Sequence, residues 1–114
     1  MFRVIGTEEF DAEFEKLKKR ACEGDGESIY LVGLIEKGME KLKYNYKHGA
    51  HISRCKIPNE YREKYNVKSL WKLDLSKFWR MIYTLRGNDV EVISLVIEVL
   101  GHKKYDRKFG YKTS

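Results

Sequence analysis

The stretch 70–100, LWKLDLSKFWRMIYTLRGNDVEVISLVIEVL, contains three segments with the composition of β-strands. In the first, Trp71, Leu73 and Leu75 alternate with polar residues, which is the period of a half-buried strand. Two runs rich in β-branched and aromatic residues flank RGND, and a Gly-Asn pair with glycine first favours a type II′ turn. The pattern predicts an antiparallel meander of three strands, at 70–75, 78–86 and 90–100.

The residues before the meander predict one strand and two helices. Residues 2–6 have the composition of a short strand. In 8–22 apolar residues recur at steps of three and four, and Thr7 is a suitable N-cap. The start of 28–45 is also compatible with a buried strand. Its apolar residues, however, keep a helical spacing over more residues than a strand usually has, so a helix is favoured. We therefore expect a single α+β domain over 1–114, with an antiparallel sheet of about four strands, a helical hairpin packed on one face, and the order β-α-α-β-β-β.

The segment 47–67 is predicted to be irregular, polar and basic, with one short helix that starts at Pro58. Its residues His48, His51 and Cys55 are spaced like metal ligands. Zinc takes four ligands, or three and a water, and no CxxC motif accompanies the set. A polar loop is therefore favoured over a metal site, and no cofactor is expected.

Length and composition limit the class of protein. The chain has 114 residues, which suits one hydrophobic core, and no apolar run approaches the roughly 18 residues needed to cross a bilayer. The first residues lack the layout of a secretory signal. These features predict a soluble cytoplasmic protein, in which Cys22 and Cys55 are free thiols.

The net charge of +6 is unevenly distributed along the chain. Residues 1–40 hold 6 basic and 10 acidic residues, whereas residues 41–114 hold 17 basic and 7 acidic residues. This asymmetry indicates that the second part of the chain faces a polyanion, although lysines and arginines also simply solvate protein surfaces.

Arg80 lies in the middle of the second predicted strand of the meander, on a face that it shares with apolar residues. An arginine in such a place needs an anionic partner. One interpretation is an internal ion pair with Asp74 or Glu98. The other is a phosphate clamp, because a guanidinium stays charged and holds phosphate oxygens in a fork.

The last strand leads into GHKKYDRKFGY, which concentrates basic, imidazole and aromatic groups. His102 and Tyr105 are suited to proton transfer, and the cations after them could stabilise a dianionic transition state. The aromatic rings, including Phe109, could stack on exposed bases. A solvated basic tail is the alternative interpretation.

In order and composition, 68–111 resembles the C-terminal half of the RelE/ParE superfamily of toxins from toxin–antitoxin systems. The shared features are a strand with a basic residue, the WRMIY strand with its central arginine, a hairpin, a long apolar strand and a terminal His/Lys/Tyr cluster. Residues 2–45 match only by layout. No glutamate in 68–76 corresponds to the general base of some members, and 47–67 is longer than a small member needs.

The resemblance implies a metal-independent, ribosome-dependent mRNA endoribonuclease that works by attack of the ribose 2′-hydroxyl on its own phosphate. It implies that Arg80 contacts the scissile phosphate and that His102 and Tyr105 transfer protons. The expected RNA-binding residues are Lys72, Lys103, Lys104, Arg107, Lys108 and Phe109.

The resemblance also implies partners. These are a cognate antitoxin protein, mRNA and the ribosome, with a homodimer or a toxin–antitoxin hetero-oligomer left open and no membrane association. Two other functions stay open at this point. One is a ParE-like poison that binds gyrase, and the other is a non-catalytic RNA-binding protein with the same fold.

Overall fold

A computed structural model describes residues 2–88 and 90–110 of the chain. It contains four α-helices and a five-stranded sheet, so the predicted α+β class is confirmed. In chain order the elements are β1 (Phe2–Gly6), α1 (Glu8–Cys22), α2 (Gly26–Tyr44), β2 (Ala50–Ile52), α3 (Asn59–Tyr65), β3 (Leu70–Asp74), β4 (Trp79–Gly87), β5 (Val92–Gly101) and α4 (His102–Lys108).

Local sequence signals explain where the two long helices begin. The Thr7 hydroxyl accepts a hydrogen bond from the Phe10 N–H at 3.0 Å, and acidic side chains occupy the first turn of α1. Asp25 caps α2 in the same way by accepting from the Ser28 N–H at 3.1 Å. Both helices lie within two residues of their predicted bounds, and the ambiguous start of the second is helical.

The prediction of an antiparallel sheet with about four strands was wrong in two respects. The strand order is β1-β5-β4-β3-β2, and β1 runs parallel to β5, so the sheet is mixed. The alternation of a strand shows which residues share a face but carries no information about the direction of its neighbour. The fifth strand, β2, has three residues, which is too short for a periodic pattern to reveal.

The helical hairpin of α1 and α2 covers one face of the sheet, as predicted. Met81, Tyr83 and Val96 are fully buried on that face, beneath Leu42 of α2. We call this side the hairpin face. Burial of these large side chains is the main stabilising contribution of the two helices.

The opposite face is also covered, which the sequence did not predict. Here α3, α4 and the chain around β2 pack on the sheet, and residues 102–108 form a helix instead of a basic tail. We call this side the short-helix face. Its buried cluster consists of Ile52, Ile57, Tyr61, Val67, Leu70, Ile82, Ile97, Leu100, Tyr105 and Phe109. The 47–67 segment is therefore part of a second core, and one face of the helix beginning at His102 is apolar.

A bulge in β5 directs two consecutive side chains to the short-helix face. Ile82 of β4 pairs with Glu98, whereas the next residue, Tyr83, pairs with Val96. Ile97 is the extra residue, so Ile97 and Glu98 both serve the short-helix face.

The turn between β4 and β5 differs from the predicted type II′ turn. Gly87 still belongs to β4, opposite Val92, and four residues connect the strands, of which Asp89 lies outside the described residues. The Asn88 side chain accepts hydrogen bonds from the backbone N–H groups of Val90 and Glu91. Gly87 has φ of 115°, and a Cβ there would meet the Glu91 carbonyl oxygen, so glycine is required by the backbone.

Within residues 2–88 and 90–110, no helix is long and apolar enough to span a bilayer.

Candidate functional site

Arg80 is the centre of a cluster of polar side chains at one end of the short-helix face. Its side chain is 16% exposed, and its Nε lies 3.3 Å from Asp74 Oδ1. The sheet register explains this contact, because Asp74 of β3 pairs directly with Arg80 of β4. Of the two internal partners that the sequence left open, the structure shows the ion pair with Asp74.

His102 reaches the same cluster because α4 begins directly where β5 ends. Its Nδ1 lies 3.1 Å from Arg80 Nη1, and its Nε2 lies 3.1 Å from Asp106 Oδ2. The imidazole is 41% exposed, whereas the Asp106 side chain is 10% exposed. The spacing of four residues between His102 and Asp106 puts both on one side of the helix.

Tyr105 forms the floor of the cluster. The Arg80 guanidinium lies 4.8 Å from the centre of its ring, and Lys72 Nζ lies 5.8 Å from it. Tyr105 itself is buried in the second core. Its ring therefore holds cations in place on one side and packs with apolar groups on the other, and it does not offer a free face to a base.

Lys72 completes what we call the Arg80 cluster, which consists of Lys72, Asp74, Arg80, His102, Tyr105 and Asp106. Lys72 Nζ donates to Asp74 Oδ1 at 3.1 Å, so one carboxylate neutralises two cations. The structure thus brings together Lys72 and the three residues that were predicted to be catalytic. It also adds the carboxylate of Asp74, which was one of the two partners left open for Arg80, and that of Asp106, which the sequence did not single out.

Lys108 and Phe109 lie in a different environment from the one predicted. Lys108 Nζ lies 2.7 Å from Glu60 and 2.9 Å from Glu98, and Glu98 also accepts from the Tyr61 hydroxyl. Burial opposes the charge on Lys108, but bonding to the two carboxylates outweighs it and raises the lysine pKa. We call these four residues the Glu98 network, and it ties α3 and α4 to β5.

The expectation that Phe109 stacks on a base was wrong, because the ring is 1% exposed. It packs against Tyr105 with 4.8 Å between ring centres. An apolar side chain at the end of a short amphipathic helix contributes more when it is buried in the core. The tail beyond it, 111–114, lies outside the described residues.

Lys103, Lys104 and Arg107 are exposed on α4, as the prediction of RNA contacts requires. Lys103 and Lys104 also line a groove of about 610 Å³ that runs along β5. This groove was not predicted from the sequence. Its walls are apolar and charged side chains of α1, α2 and α3 and the aromatic pair Phe78 and Trp79.

The floor of the groove is a stretch of β5 with a neighbour on one side only. β1 pairs with β5 as far as Val96, whereas β4 pairs with β5 as far as Gly101. Among the described residues no strand adjoins the other edge of 97–101. The signal in the sequence was the difference in length between the strand at 2–6 and the strand that ends at 100.

The favoured interpretation of His48, His51 and Cys55 was a polar loop. His51 packs edge-on against Trp71, with 5.1 Å between ring centres, and Cys55 Sγ lies 3.2 Å from Ser53 Oγ. In the parts of the chain that the structure describes, no three His, Cys, Asp or Glu side chains are grouped to hold a metal. Cys22 and Cys55 are exposed free thiols.

Comparison with known proteins gives no relative. The chain matches no known family, and no characterised protein or solved structure is significantly similar to it.

Proposed function

We propose that this protein is a RelE-like toxin that cuts mRNA by attack of the ribose 2′-hydroxyl on the adjacent phosphate. One observation carries the proposal: Arg80 Nη1 lies 3.1 Å from His102 Nδ1. A cation suited to a phosphate oxygen therefore stands beside a group suited to take a proton. The order of one strand, two helices and a later meander of β3, β4 and β5 also supports it, although β2 and α3 are inserted before the meander and α4 follows it.

In this mechanism Arg80 and Lys72 hold the scissile phosphate and stabilise the charge that develops on it. The phosphate competes with Asp74, which contacts both cations in the absence of RNA. Tyr105 supports the guanidinium from below, so its contribution is to hold Arg80 and not to transfer a proton. Selectivity for RNA follows from the reaction, because DNA lacks the attacking hydroxyl.

The exposed cations of α4 would hold the RNA backbone on either side of the cut. Lys103, Lys104 and Arg107 are on the solvent side of the helix that begins at His102. Contacts of this kind are electrostatic and weaken with salt. The ribosome is the expected site of cleavage, in the cytoplasm, where translated mRNA presents its backbone in extended form.

The groove along β5 is the surface that we assign to the antitoxin. An extended segment would pair with 97–101 as an added strand, with its apolar side chains against Phe14 and Leu17 of α1. Basic side chains such as Lys103 and Lys104 and acidic ones such as Glu9 and Glu13 line the same groove, so the segment would place charges of the opposite sign against each group. The heterodimer is therefore the assembly that we expect.

The test is induced expression followed by mapping of mRNA ends. The wild-type protein should arrest growth and produce new 5′ ends within translated messages. Arg80→Ala and His102→Ala should each reduce cleavage by about 100-fold or more, because each removes a group acting on the transition state. Lys43→Ala, a charge removal on α2 at a distance from the cluster, should cut like the wild type.

Retention of full toxicity by folded Arg80→Ala and His102→Ala variants would refute the nuclease. Arrested growth with intact transcripts would also contradict it, and a DNA supercoiling assay would then test the gyrase poison. Specific contacts favour the non-catalytic RNA-binding alternative: Asp74 already neutralises two cations, and both ring nitrogens of His102 are bonded. RNA binding without new 5′ ends or growth arrest would establish that alternative.

A further inference from the structure

Asp106 is a nearly buried carboxylate that the sequence gave no reason to select. It lies within a basic run, where an acidic residue usually serves to balance charge. Its side chain is 10% exposed, and Oδ2 lies 3.1 Å from His102 Nε2. A carboxylate with so little solvent needs a hydrogen-bond donor, and the imidazole Nε2–H is placed to provide one.

The other ring nitrogen of His102 fixes which tautomer is present. Its partner, Arg80 Nη1, has only hydrogens to donate, so Nδ1 must accept and must be unprotonated. The ring proton is then on Nε2, where it bonds to Asp106. Both contacts therefore select the same neutral tautomer.

The charged groups around this imidazole come from three elements. Arg80 faces it from β4, and Asp106 faces it from the next turn of α4. From β3, Asp74 contacts Arg80 and also accepts a hydrogen bond from Lys72. The charges of β3 therefore influence the imidazole only through the arginine.

We propose that Asp106 is a positioning residue that holds His102 as the Nε2–H tautomer and so presents Nδ1 as the general base. This inference rests on the nuclease function proposed above. A phosphate that binds between Arg80 and His102 accepts the hydrogen bond that Arg80 otherwise donates to Nδ1. The Nδ1 lone pair is then free to accept a proton. The ring orientation is retained, because Asp106 still holds Nε2.

The reaction balances without a cofactor. The 2′-hydroxyl gives its proton to His102 Nδ1, and its oxygen forms a bond to phosphorus. The bond from phosphorus to the 5′-oxygen breaks, and that oxygen keeps the electron pair and takes a proton from solvent. The imidazolium, stabilised by the Asp106 carboxylate, then returns its proton to solvent. The products are a 2′,3′-cyclic phosphate and a free 5′-hydroxyl.

The first arm of the test needs no activity. Nitrogen-15 NMR of the ring reports the tautomer, and a His102→Gln sample assigns the signal among the three histidines. We expect Nε2–H in the wild type. We also expect it in Arg80→Ala, where Asp106 alone selects the tautomer, and we expect the preference to weaken to that of a free histidine in the Arg80→Ala/Asp106→Ala double variant. A wild-type ring protonated on Nδ1 alone would overturn the proposal.

The second arm measures the kinetics of mRNA cleavage with ribosome-bound message as the substrate. Asp106→Ala should lower kcat by about 100-fold with little change in KM, because Asp106 acts on the base and not on RNA binding. Asp106→Asn keeps the size of the side chain and can still accept a hydrogen bond from Nε2–H, so its kcat should fall less. Its remaining activity also shows that a substitution at this position leaves the protein folded. An Asp106→Ala variant with the kcat of the wild type would overturn the proposal.

The two arms separate this inference from the proposed function. If the wild-type protein cuts no RNA, the nuclease reading fails, while the NMR arm still decides whether Asp106 sets the tautomer. If the wild type cuts RNA and Asp106→Ala cuts equally well, the nuclease stands and only the role of Asp106 is wrong.

Discussion

The two faces of the sheet are covered in different ways. On the hairpin face, α1 and α2 have 15 and 19 residues, and they bury a core whose side chains are almost entirely apolar. On the short-helix face, α3 and α4 have seven residues each. Isolated helices of that length do not form in water, so α3 and α4 depend on their contacts with the sheet.

The short-helix face obtains those contacts partly from polar groups. The Glu98 network joins α3 and α4 to β5, and the Arg80 cluster joins α4 to β3 and β4. The hairpin face has no comparable group of ion pairs among the residues described. The comparison teaches that one face serves as the scaffold, while the other combines a small core with the candidate site.

The largest expected effect tests whether the two faces fold as one unit. Phe109→Ala on the short-helix face and Phe10→Ala on the hairpin face each remove a buried ring, and each should lower the free energy of unfolding by about 3–5 kcal/mol. Urea denaturation followed by circular dichroism measures both. Phe78→Ala, which removes a ring that is 50% exposed, is the control and should cost about 1 kcal/mol or less.

A much smaller loss of unfolding free energy for Phe109→Ala than for Phe10→Ala would show that the two faces unfold independently. In that case α4 would open without unfolding the sheet, and hydrogen exchange in 102–109 would be faster than in β4. Equal losses would show that the second core belongs to the same cooperative unit.

Alkaline pH provides the next test, through a tyrosine on the hairpin face. Burial raises the pKa of Tyr83 to about 12 from an ordinary value of 10. A raised pKa in the folded state means that stability is fully present below pH 10 and is lost as the pH rises toward 12. The loss attributable to Tyr83 should reach about 2 kcal/mol at pH 12.

Tyr83→Phe isolates this contribution. The variant loses the hydrogen bond from the hydroxyl to the Tyr46 carbonyl, at 2.6 Å, so its stability is first compared with the wild type at pH 7. Between pH 10 and 12 it should then lose less stability than the wild type. The same loss in both proteins would contradict the prediction. Burial and the hydrogen bond to Glu98 also raise the pKa of Tyr61. Tyr61 therefore adds a loss of stability at alkaline pH in the wild type and in the variant alike.

The elements of the hairpin face were predictable from the sequence because each carries a long periodic pattern. The stripe from Phe10 to Ala21 and the alternation from Trp71 to Leu75 both extend over enough residues to fix a period. The short-helix face has no such pattern. In a helix of seven residues, the apolar side consists of only two or three side chains, here Tyr105 and the C-capping Phe109. So few residues are equally compatible with an irregular tail.

The candidate site was predictable only in part for a related reason. Arg80 stood out because a charged residue interrupts a partly apolar strand, and His102 because an imidazole suited to proton transfer follows the last predicted strand. Asp74 was one of two possible partners of Arg80, and only the strand register selects it, whereas Asp106 did not stand out because its importance comes from a helix that was not predicted. The groove along β5 depends on where β1 ends, which is a property of pairing and not of local composition.

The smallest expected effect compares two glycines within α2, and it tests how closely the hairpin face is packed. A Cβ at Gly38 would collide with Leu75 and approach Leu73 Cδ2 and Met81 Cε at 3.4 Å, whereas a Cβ at Gly33 would meet nothing within 4 Å. Both positions are mid-helix, so alanine gains about 0.5–1 kcal/mol of helix propensity at each. Gly33→Ala should therefore raise the urea midpoint, while Gly38→Ala should lower it, with a net loss of about 1 kcal/mol from overpacking. If both variants gained stability equally, α2 would have room to move away from β3, and the hairpin face would be less rigid than its burial indicates.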